Sequence, residues 1–243
     1  MKATPSLQDA INAVYSAFSD VRRPVTMDAS PVKNRALIDK ILMPMSLKKL
    51  TGDDLGYYFA SAMTTIGDSR DFRYFLPRIL DIATQEAGEN GFQPWLIVHK
   101  LIYANWDLWP AEKRAAILDV FSSAFMSAAH RDPHEVPEAH EWLTGLMLLE
   151  ENPEPYLAVW RRGDPMPSLL QFAATVNWYC PSPGDREGIG DFSEAIQHRI
   201  LDWLNNPATR ALLEEGSSRA SEADEWNFQL ALSKLDGLQA EDR

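Results

Sequence analysis

Apolar residues recur along the chain at intervals of three and four positions, in short stretches that proline, glycine or polar residues separate. This spacing places the apolar side chains on one face of an α-helix, where they can pack against a core. The first stretch opens with Thr4 and Pro5 and continues with Leu7, Ile11 and Val14. A capping residue followed by proline is typical of a helix start. The pattern therefore predicts helices rather than strands.

The same spacing predicts about a dozen helices joined by short links. One of them contains Pro77, which removes a backbone donor and frees the carbonyl of Arg73, so we expect a kink or a restart there. The predicted ranges are 4–18, 36–42, 51–66, 68–87, 94–106, 110–128, 137–150, 154–162, 166–179, 191–204, 208–214 and 221–235.

A series of short helices with short connections predicts one all-α domain over residues 1–243. We expect an irregular α–α superhelix, a stack of antiparallel helix pairs of the armadillo or HEAT kind. A closed helical bundle is the alternative, because the chain contains no strict internal repeat. Composition agrees with helix, since alanine and leucine total 55 residues and valine and isoleucine only 21.

The net charge of −12 argues against binding to nucleic acid and to anionic membrane surfaces. Basic residues occur only in small groups among acidic ones, so no basic stripe faces a phosphate backbone. The charge suits a basic partner without identifying one. We therefore expect another protein as partner, and no nucleic acid or membrane.

The expected location is the cytoplasm. Cys180 is the only cysteine, so no internal disulfide can form and a reducing compartment fits. Residues 1–9 have no apolar stretch of a secretory signal, and no apolar run approaches the roughly 18 residues of a membrane helix.

Three of the five histidines, His130, His134 and His140, lie in one stretch with several carboxylates. A zinc site needs three or four such groups around one point, but two prolines break this stretch and it matches no helical zinc motif. We interpret it as a polar loop between helices. His99 shares a helix face with Trp95 and Tyr103, which suits a histidine bonded to the backbone as well as a catalytic base.

No catalytic residue, cofactor or metal site is predicted. Cys180 precedes a proline at a helix end, where the sequence indicates no base to activate the thiol. The glycines of 182–190 do not follow the order of a phosphate-binding loop. Tryptophans at helical spacing, all of them after residue 94, are typical of a core; the alternative is an aromatic ligand pocket.

The most distinctive segment runs from residue 68 to residue 80 and combines three arginines and two aspartates with the proline at 77. One interpretation is a set of surface ion pairs beside a core helix, each of small energetic value. The other is a rigid surface that presents Arg73 and Arg78 to carboxylates of a partner, since arginine has planar, forked donors. The predicted binding residues are Asp71, Arg73, Tyr74 and Arg78.

This segment and the residues before it resemble a family of uncharacterised bacterial helical proteins. The resemblance is carried by Leu50 to Leu55, Tyr58, Ala62 to Thr65, Gly67 and Asp68, and most specifically by the stretch from Asp71 to Leu80. It covers about a third of the chain and implies an all-helical fold, but the family has no assigned activity. Members tend to carry closely spaced cysteines shortly before this block, whereas residues 28–34 here contain none. A metal or thiol role of those cysteines is therefore not expected in this chain.

Two functions remain after these exclusions. The first is a non-enzymatic protein–protein interaction module, because stacked helix pairs form an extended groove. The second is an enzyme or small-molecule binder with a pocket among the tryptophan-bearing helices. A deep pocket with a convergent histidine and carboxylate favours the second function, and a shallow polar groove favours the first.

We expect helix to exceed roughly 60% of the residues, about twice the usual share of globular proteins, with no sheet of three or more strands. Far-UV circular dichroism measures this fraction directly. A spectrum that requires a fifth of the residues in strands would overturn the predicted architecture.

Overall fold

The computed structural model describes residues 4–85, 91–133, 139–150, 152–180, 189–190 and 192–241. It is all-helical, with helix over 69% of the described residues, which confirms the predicted all-α class. Within these residues there is no strand, and only isolated bridges join Ala29 and Ala62 to Ile66. No helix in the described ranges is long and apolar enough to cross a lipid bilayer.

The described part of the chain contains twelve α-helices and two short 3₁₀ turns. The turns are Leu47–Lys49 and Trp106–Leu108. The helices are α1 (Leu7–Ala17), α2 (Arg35–Leu42), α3 (Gly52–Ser61), α4 (Ser69–Gln85), α5 (Pro94–Tyr103), α6 (Ala111–Ala128), α7 (Ala139–Glu150), α8 (Glu154–Leu157), α9 (Met166–Tyr179), α10 (Glu194–Leu204), α11 (Pro207–Arg219) and α12 (Glu225–Glu241).

Helices α3 and α8 each end five residues before the predicted limit, at a point where the chain turns. Helix α3 ends at Ser61 because its carbonyl accepts the amides of three residues of the following turn, which contains Met63 and Gly67 at positive φ. Gly67 has φ +62, a left-handed conformation that favours glycine. Helix α8 ends at Leu157, after which Trp160 is buried and donates its Nε1 proton to the carbonyl of Ala129.

Helix α4 continues through Pro77 without a restart, and the alternative of a kink at this residue stays a prediction. Proline inside a helix costs about 3 kcal/mol. On the same helix Phe72, Phe75, Leu76 and Ile79 are fully buried, and burial of such side chains contributes about 1.5–3 kcal/mol each. Packing on both sides of the proline therefore outweighs the lost hydrogen bond.

Contacts divide the chain into two compact units, Met1–Ala124 (unit 1) and Phe125–Arg243 (unit 2). The division falls within α6, which contributes its first part to unit 1 and its last part to unit 2. In unit 1, α4 packs against α1 and α3, and α3 also packs against α2. The single domain predicted from the sequence stays a prediction.

Helix α9 is the central element of unit 2, where α7, α11 and α12 all pack against it. It is apolar on most of its surface, as expected of a helix enclosed by others. The Gln171 side-chain oxygen accepts the amide of Ala139 at 2.8 Å, while the side-chain nitrogen of Gln171 is buried without a partner among the described residues. Thr175 donates to the carbonyl of Gln171. The Tyr179 hydroxyl donates to the carbonyl of His140 at 3.0 Å.

Helices α11 and α12 of unit 2 approach closely at Gly216. A Cβ atom at this position would lie 2.1 Å from the ring of Phe228, which is fully buried. We expect Gly216→Ala to lower the free energy of unfolding by about 1–3 kcal/mol, since a buried ring has no room to move. Urea denaturation followed by circular dichroism measures the change.

Gly237, on α12, is the matched control. A Cβ atom there meets nothing within 4 Å, so Gly237→Ala should stabilise the helix by up to about 1 kcal/mol. Equal stabilisation by both substitutions would contradict the close approach of α11 and α12.

Candidate functional site

A cleft of about 370 Å³ lies in unit 2 between α8, α10 and α11. Its volume falls in the range of ligand sites, which is about 300–1,000 Å³. The floor is apolar and largely buried, and it consists of Leu157, Trp160, Phe172 and Leu212. The edge carries the polar side chains Glu154, Arg199, Asp202 and Asn206.

Three aromatic rings form one wall of the cleft. The centroids of Trp160 and Phe172 are 5.5 Å apart, and those of Phe172 and Trp203 are 5.7 Å apart with the rings nearly perpendicular. These separations are typical of favourable aromatic pairs. Trp160 and Phe172 are buried, whereas Trp203 is half-buried and lines the cleft. The rings pack against one another, so a ligand lies along this wall rather than between its rings.

The corner between α10 and α11 positions the open side of the cleft. Asn206 caps α11 by accepting the amide of Ala208, and proline occupies the next position, as at many helix starts. Thr209 donates its hydroxyl proton to the carbonyl of Trp203 at 2.6 Å. Along α10, Arg199 lies three and four positions before Asp202 and Trp203, so all three share one face.

The charges at the edge of the cleft are unequally engaged. Arg199 Nη1 donates to the Asn152 side-chain oxygen at 3.0 Å and lies 3.6 Å from Glu154 Oε1. Asp202 is exposed and forms no ion pair with any other residue that the structure describes. The cleft therefore presents one balanced pair and one carboxylate that is available to a ligand.

The net charge of the protein resides entirely in unit 2. Unit 2 contains 21 acidic and 9 basic residues, whereas unit 1 contains 14 of each. The excess of acidic residues in unit 2 is therefore 12, which equals that of the whole chain. The cleft lies in the half of the sequence that attracts cations.

The predicted binding residue Asp71 lies at the start of α4 in unit 1. Its Oδ2 accepts the amide of Asp68 at 3.0 Å, and Asp68 Oδ1 in turn accepts the amides of Arg70 and Asp71. Burial raises the pKa of the Asp71 carboxyl above its usual range. A Cβ atom on Gly67 would lie 2.6 Å from Asp71 Oδ2, so glycine is required for this approach. Asp71 thus stabilises the helix start.

Arg78, a second predicted binding residue, lies in a network inside unit 1 rather than on an open surface. Its guanidinium donates to Asp81 Oδ2 at 2.7 Å and to the carbonyl of Leu50 at 2.6 Å. The side chains of Arg78 and Asp81 are only 14% and 13% exposed. The Tyr15 hydroxyl and the Gln85 amide also donate to Asp81, and burial raises the Tyr15 pKa well above its usual range.

Arg73 and Tyr74 are half-buried on α4. The Arg73 guanidinium lies 5.2 Å from the centre of the Trp109 ring and donates to the carbonyl of Ser69. The Tyr74 ring contacts that of Phe75 edge-on. Arg73 and Arg78 are five positions apart, which separates them by about 140° around the helix, so they do not form one patch. Binding by these four residues stays a prediction.

The histidine stretch is only partly described. His134 lies outside the described residues, while His130 Nδ1 is 3.1 Å from the Ser168 hydroxyl and His140 stacks on Trp178 with the ring centres 4.4 Å apart. In the described ranges, no three or more histidine, cysteine, aspartate or glutamate side chains group to hold a metal ion.

The remaining candidates lie at two helix ends. Cys180 ends α9, and burial raises the pKa of its thiol to about 11. Most of the glycine-containing loop 182–190, which follows Cys180, lies outside the described residues. The described part of this loop is Ile189 and Gly190. His99 is exposed on α5 and contacts the ring of Trp95 edge-on. Trp95, Trp178 and Trp226 are about half-exposed or more, so the tryptophans are not uniformly core residues.

The residues at the edge of the cleft did not emerge as a site from the sequence. Glu154, Arg199, Asp202 and Trp203 are spread over fifty positions and belong to no spacing motif. A signal was nevertheless present, because a pocket among tryptophan-bearing helices was the alternative to a core interpretation, and Trp160 and Trp203 line this one.

No protein-family model, curated protein or solved structure matches the chain. The resemblance of residues 50–80 to a bacterial family therefore stays an expectation.

We expect Arg78→Gln to destabilise the protein far more than Arg73→Gln. Removing one member of an enclosed ion pair leaves the other charge buried without its partner, which lowers the free energy of unfolding by up to about 3–5 kcal/mol. A half-exposed cation over an aromatic ring contributes only about 0.5–1 kcal/mol. Thermal melts of the two single variants measure the difference. Equal and small losses would show that the Arg78–Asp81 network is not important for folding.

Proposed function

We propose that this chain is a non-enzymatic protein–protein interaction module, in which the cleft of unit 2 receives side chains of a partner protein. The observation that carries the proposal is the combination of an apolar aromatic floor with a polar edge. This is the anatomy of an interface pocket, in which buried apolar contacts provide affinity and the polar rim provides specificity.

The rigidity of the aromatic wall supports docking. The Trp160 ring is held by its bond to the carbonyl of Ala129, and the Trp203 ring packs edge-on against Phe172. A wall whose side chains are already ordered loses little conformational entropy when a partner binds. Most of the conformational entropy lost on binding is then lost by the partner.

We further propose that the helices stack as an irregular α–α superhelix of the armadillo or HEAT kind, rather than as a closed bundle. Consecutive helices pack against each other within each unit, as α2 and α3 do in unit 1 and α11 and α12 do in unit 2. Contacts between sequence neighbours are typical of stacked arrays. The proposed location of the module is the cytoplasm, with the single cysteine reduced.

A small-molecule binder is the second candidate, and the volume of the cleft favours it. About 370 Å³ lined by Trp160, Phe172 and Trp203 is sufficient for a compact ligand. Thermal-shift screening with small aromatic compounds distinguishes the two functions. Ligands that stabilise the protein while no peptide binds would favour the second candidate.

Selection of random dodecapeptides displayed on phage against the full-length chain tests the proposal. We expect the enriched peptides to carry an apolar side chain, and to bind Trp203→Ala about tenfold or more weakly, because truncating an aromatic anchor of a pocket removes about 1.4–2 kcal/mol or more. Fluorescence polarisation of the labelled peptides measures the affinities.

Trp226→Ala is the matched control. Trp226 belongs to the same unit and is 60% exposed, but it does not line the cleft, so its removal should leave peptide binding unchanged. Failure to enrich any peptide, or equal effects of the two substitutions, would contradict docking in the cleft.

A further inference from the structure

We infer that the partner segment is basic, and that one of its arginine or lysine side chains lies in the cleft with its charged end at Asp202. The inference rests on the proposed function and specifies the chemistry of the partner. Three features of unit 2 support it. The cleft has an apolar floor and a polar edge, Asp202 is the charged group at this edge that lacks an ion-pair partner among the described residues, and unit 2 as a whole is negatively charged.

The polarity of the cleft matches a side chain that is apolar along its stem and positive at its end. The floor is apolar at Leu157 and Leu212, and Trp203 forms the half-buried part of the wall. Arginine and lysine bury their methylene stems on such surfaces and keep the charged group at the polar edge. A cation beside Trp203 also gains attraction from the ring face. A purely apolar side chain would use only the floor.

Asp202 is the available counter-charge at the edge. The titratable groups that line the cleft are Glu154, Arg199 and Asp202. Arg199 lies 3.6 Å from Glu154 and is also held by the side chain of Asn152, so these two charges offset each other. Asp202 directly precedes Trp203 in α10 and both line the cleft, so the carboxylate lies at the edge of the cleft whose wall includes the Trp203 ring.

The field of unit 2 favours approach of a basic segment. Its excess of 12 acidic residues is not offset within the unit, while unit 1 is neutral. An uncompensated charge of this size raises the association rate of an oppositely charged partner and makes binding sensitive to salt. An acidic segment would be repelled before it reached the cleft.

Fluorescence anisotropy with three labelled decapeptides tests the inference on the full-length chain. The peptides share a glycine- and serine-rich frame and differ only in two central residues, which are arginine and lysine, two glutamines, or two glutamates. We expect the basic peptide to bind at least about tenfold more tightly than the glutamine peptide, and its affinity to fall as KCl rises from roughly 50 to 300 mM. The glutamate peptide should not bind.

Asp202→Asn should weaken the basic peptide about tenfold, because it removes the charge that pairs with the peptide cation. Glu222→Gln removes the same charge from an exposed position of unit 2 that does not line the cleft, and should change the affinity less than twofold. Circular dichroism checks that both variants are folded. Equal effects of the two substitutions would overturn the pairing at Asp202.

The remaining outcomes separate the two proposals. Glutamine and basic peptides of equal affinity, both sensitive to Trp203→Ala, would overturn the basic partner and leave the docking function in place. Binding of arginine methyl ester without binding of any peptide would show a small cationic ligand, and would overturn the partner segment. Binding of no probe at all would overturn the docking function and the inference with it.

Discussion

Helices α7, α11 and α12 all pack against α9, and the stability of unit 2 depends on the burial of α9. Enclosure on several sides requires a helix that is apolar around most of its circumference, and requires that each buried polar group finds a partner inside. Thr175 and Tyr179 meet this condition through bonds to backbone carbonyls, whereas Gln171 meets it at its side-chain oxygen but, within the described part of the chain, not at its side-chain nitrogen. The same helix supplies Phe172 to the floor of the cleft. The packing that stabilises unit 2 therefore also fixes the wall of its candidate site.

Unit 1 differs from unit 2, because its helix α4 carries an enclosed ion pair as well as buried apolar side chains. Arg78 and Asp81 on α4 are joined by Tyr15 from α1 and by the carbonyl of Leu50. An enclosed ion pair contributes little net free energy compared with apolar residues, but it strongly disfavours arrangements in which either charge lacks its partner. In unit 1 the network fixes how α1 and the chain before α3 lie against α4.

The helices could be predicted from the sequence because periodicity is a local property. The predicted range of α9 agrees with the structure at both ends, and most other helices agree within a few residues. The environment of Arg78 could not be predicted, since its partners Tyr15 and Leu50 are distant in sequence and an arginine in a helix has no local sign of burial. The cleft could not be predicted from the sequence for the same reason, since its edge combines residues from α8, α10 and α11. The charge asymmetry was present in the composition, but it becomes visible only when the boundary at Ala124 is known.

The burial of Cys180 has a consequence for the chemistry of the whole chain. With a pKa of about 11, only roughly one thiol in ten thousand is ionised at neutral pH, and the thiolate is the form that reacts. Lys234 of α12 donates to the carbonyls of Asn177 and Cys180, which ties α12 to this end of α9. As this is the only cysteine, oxidants cannot link two copies through a disulfide until the α9 end opens.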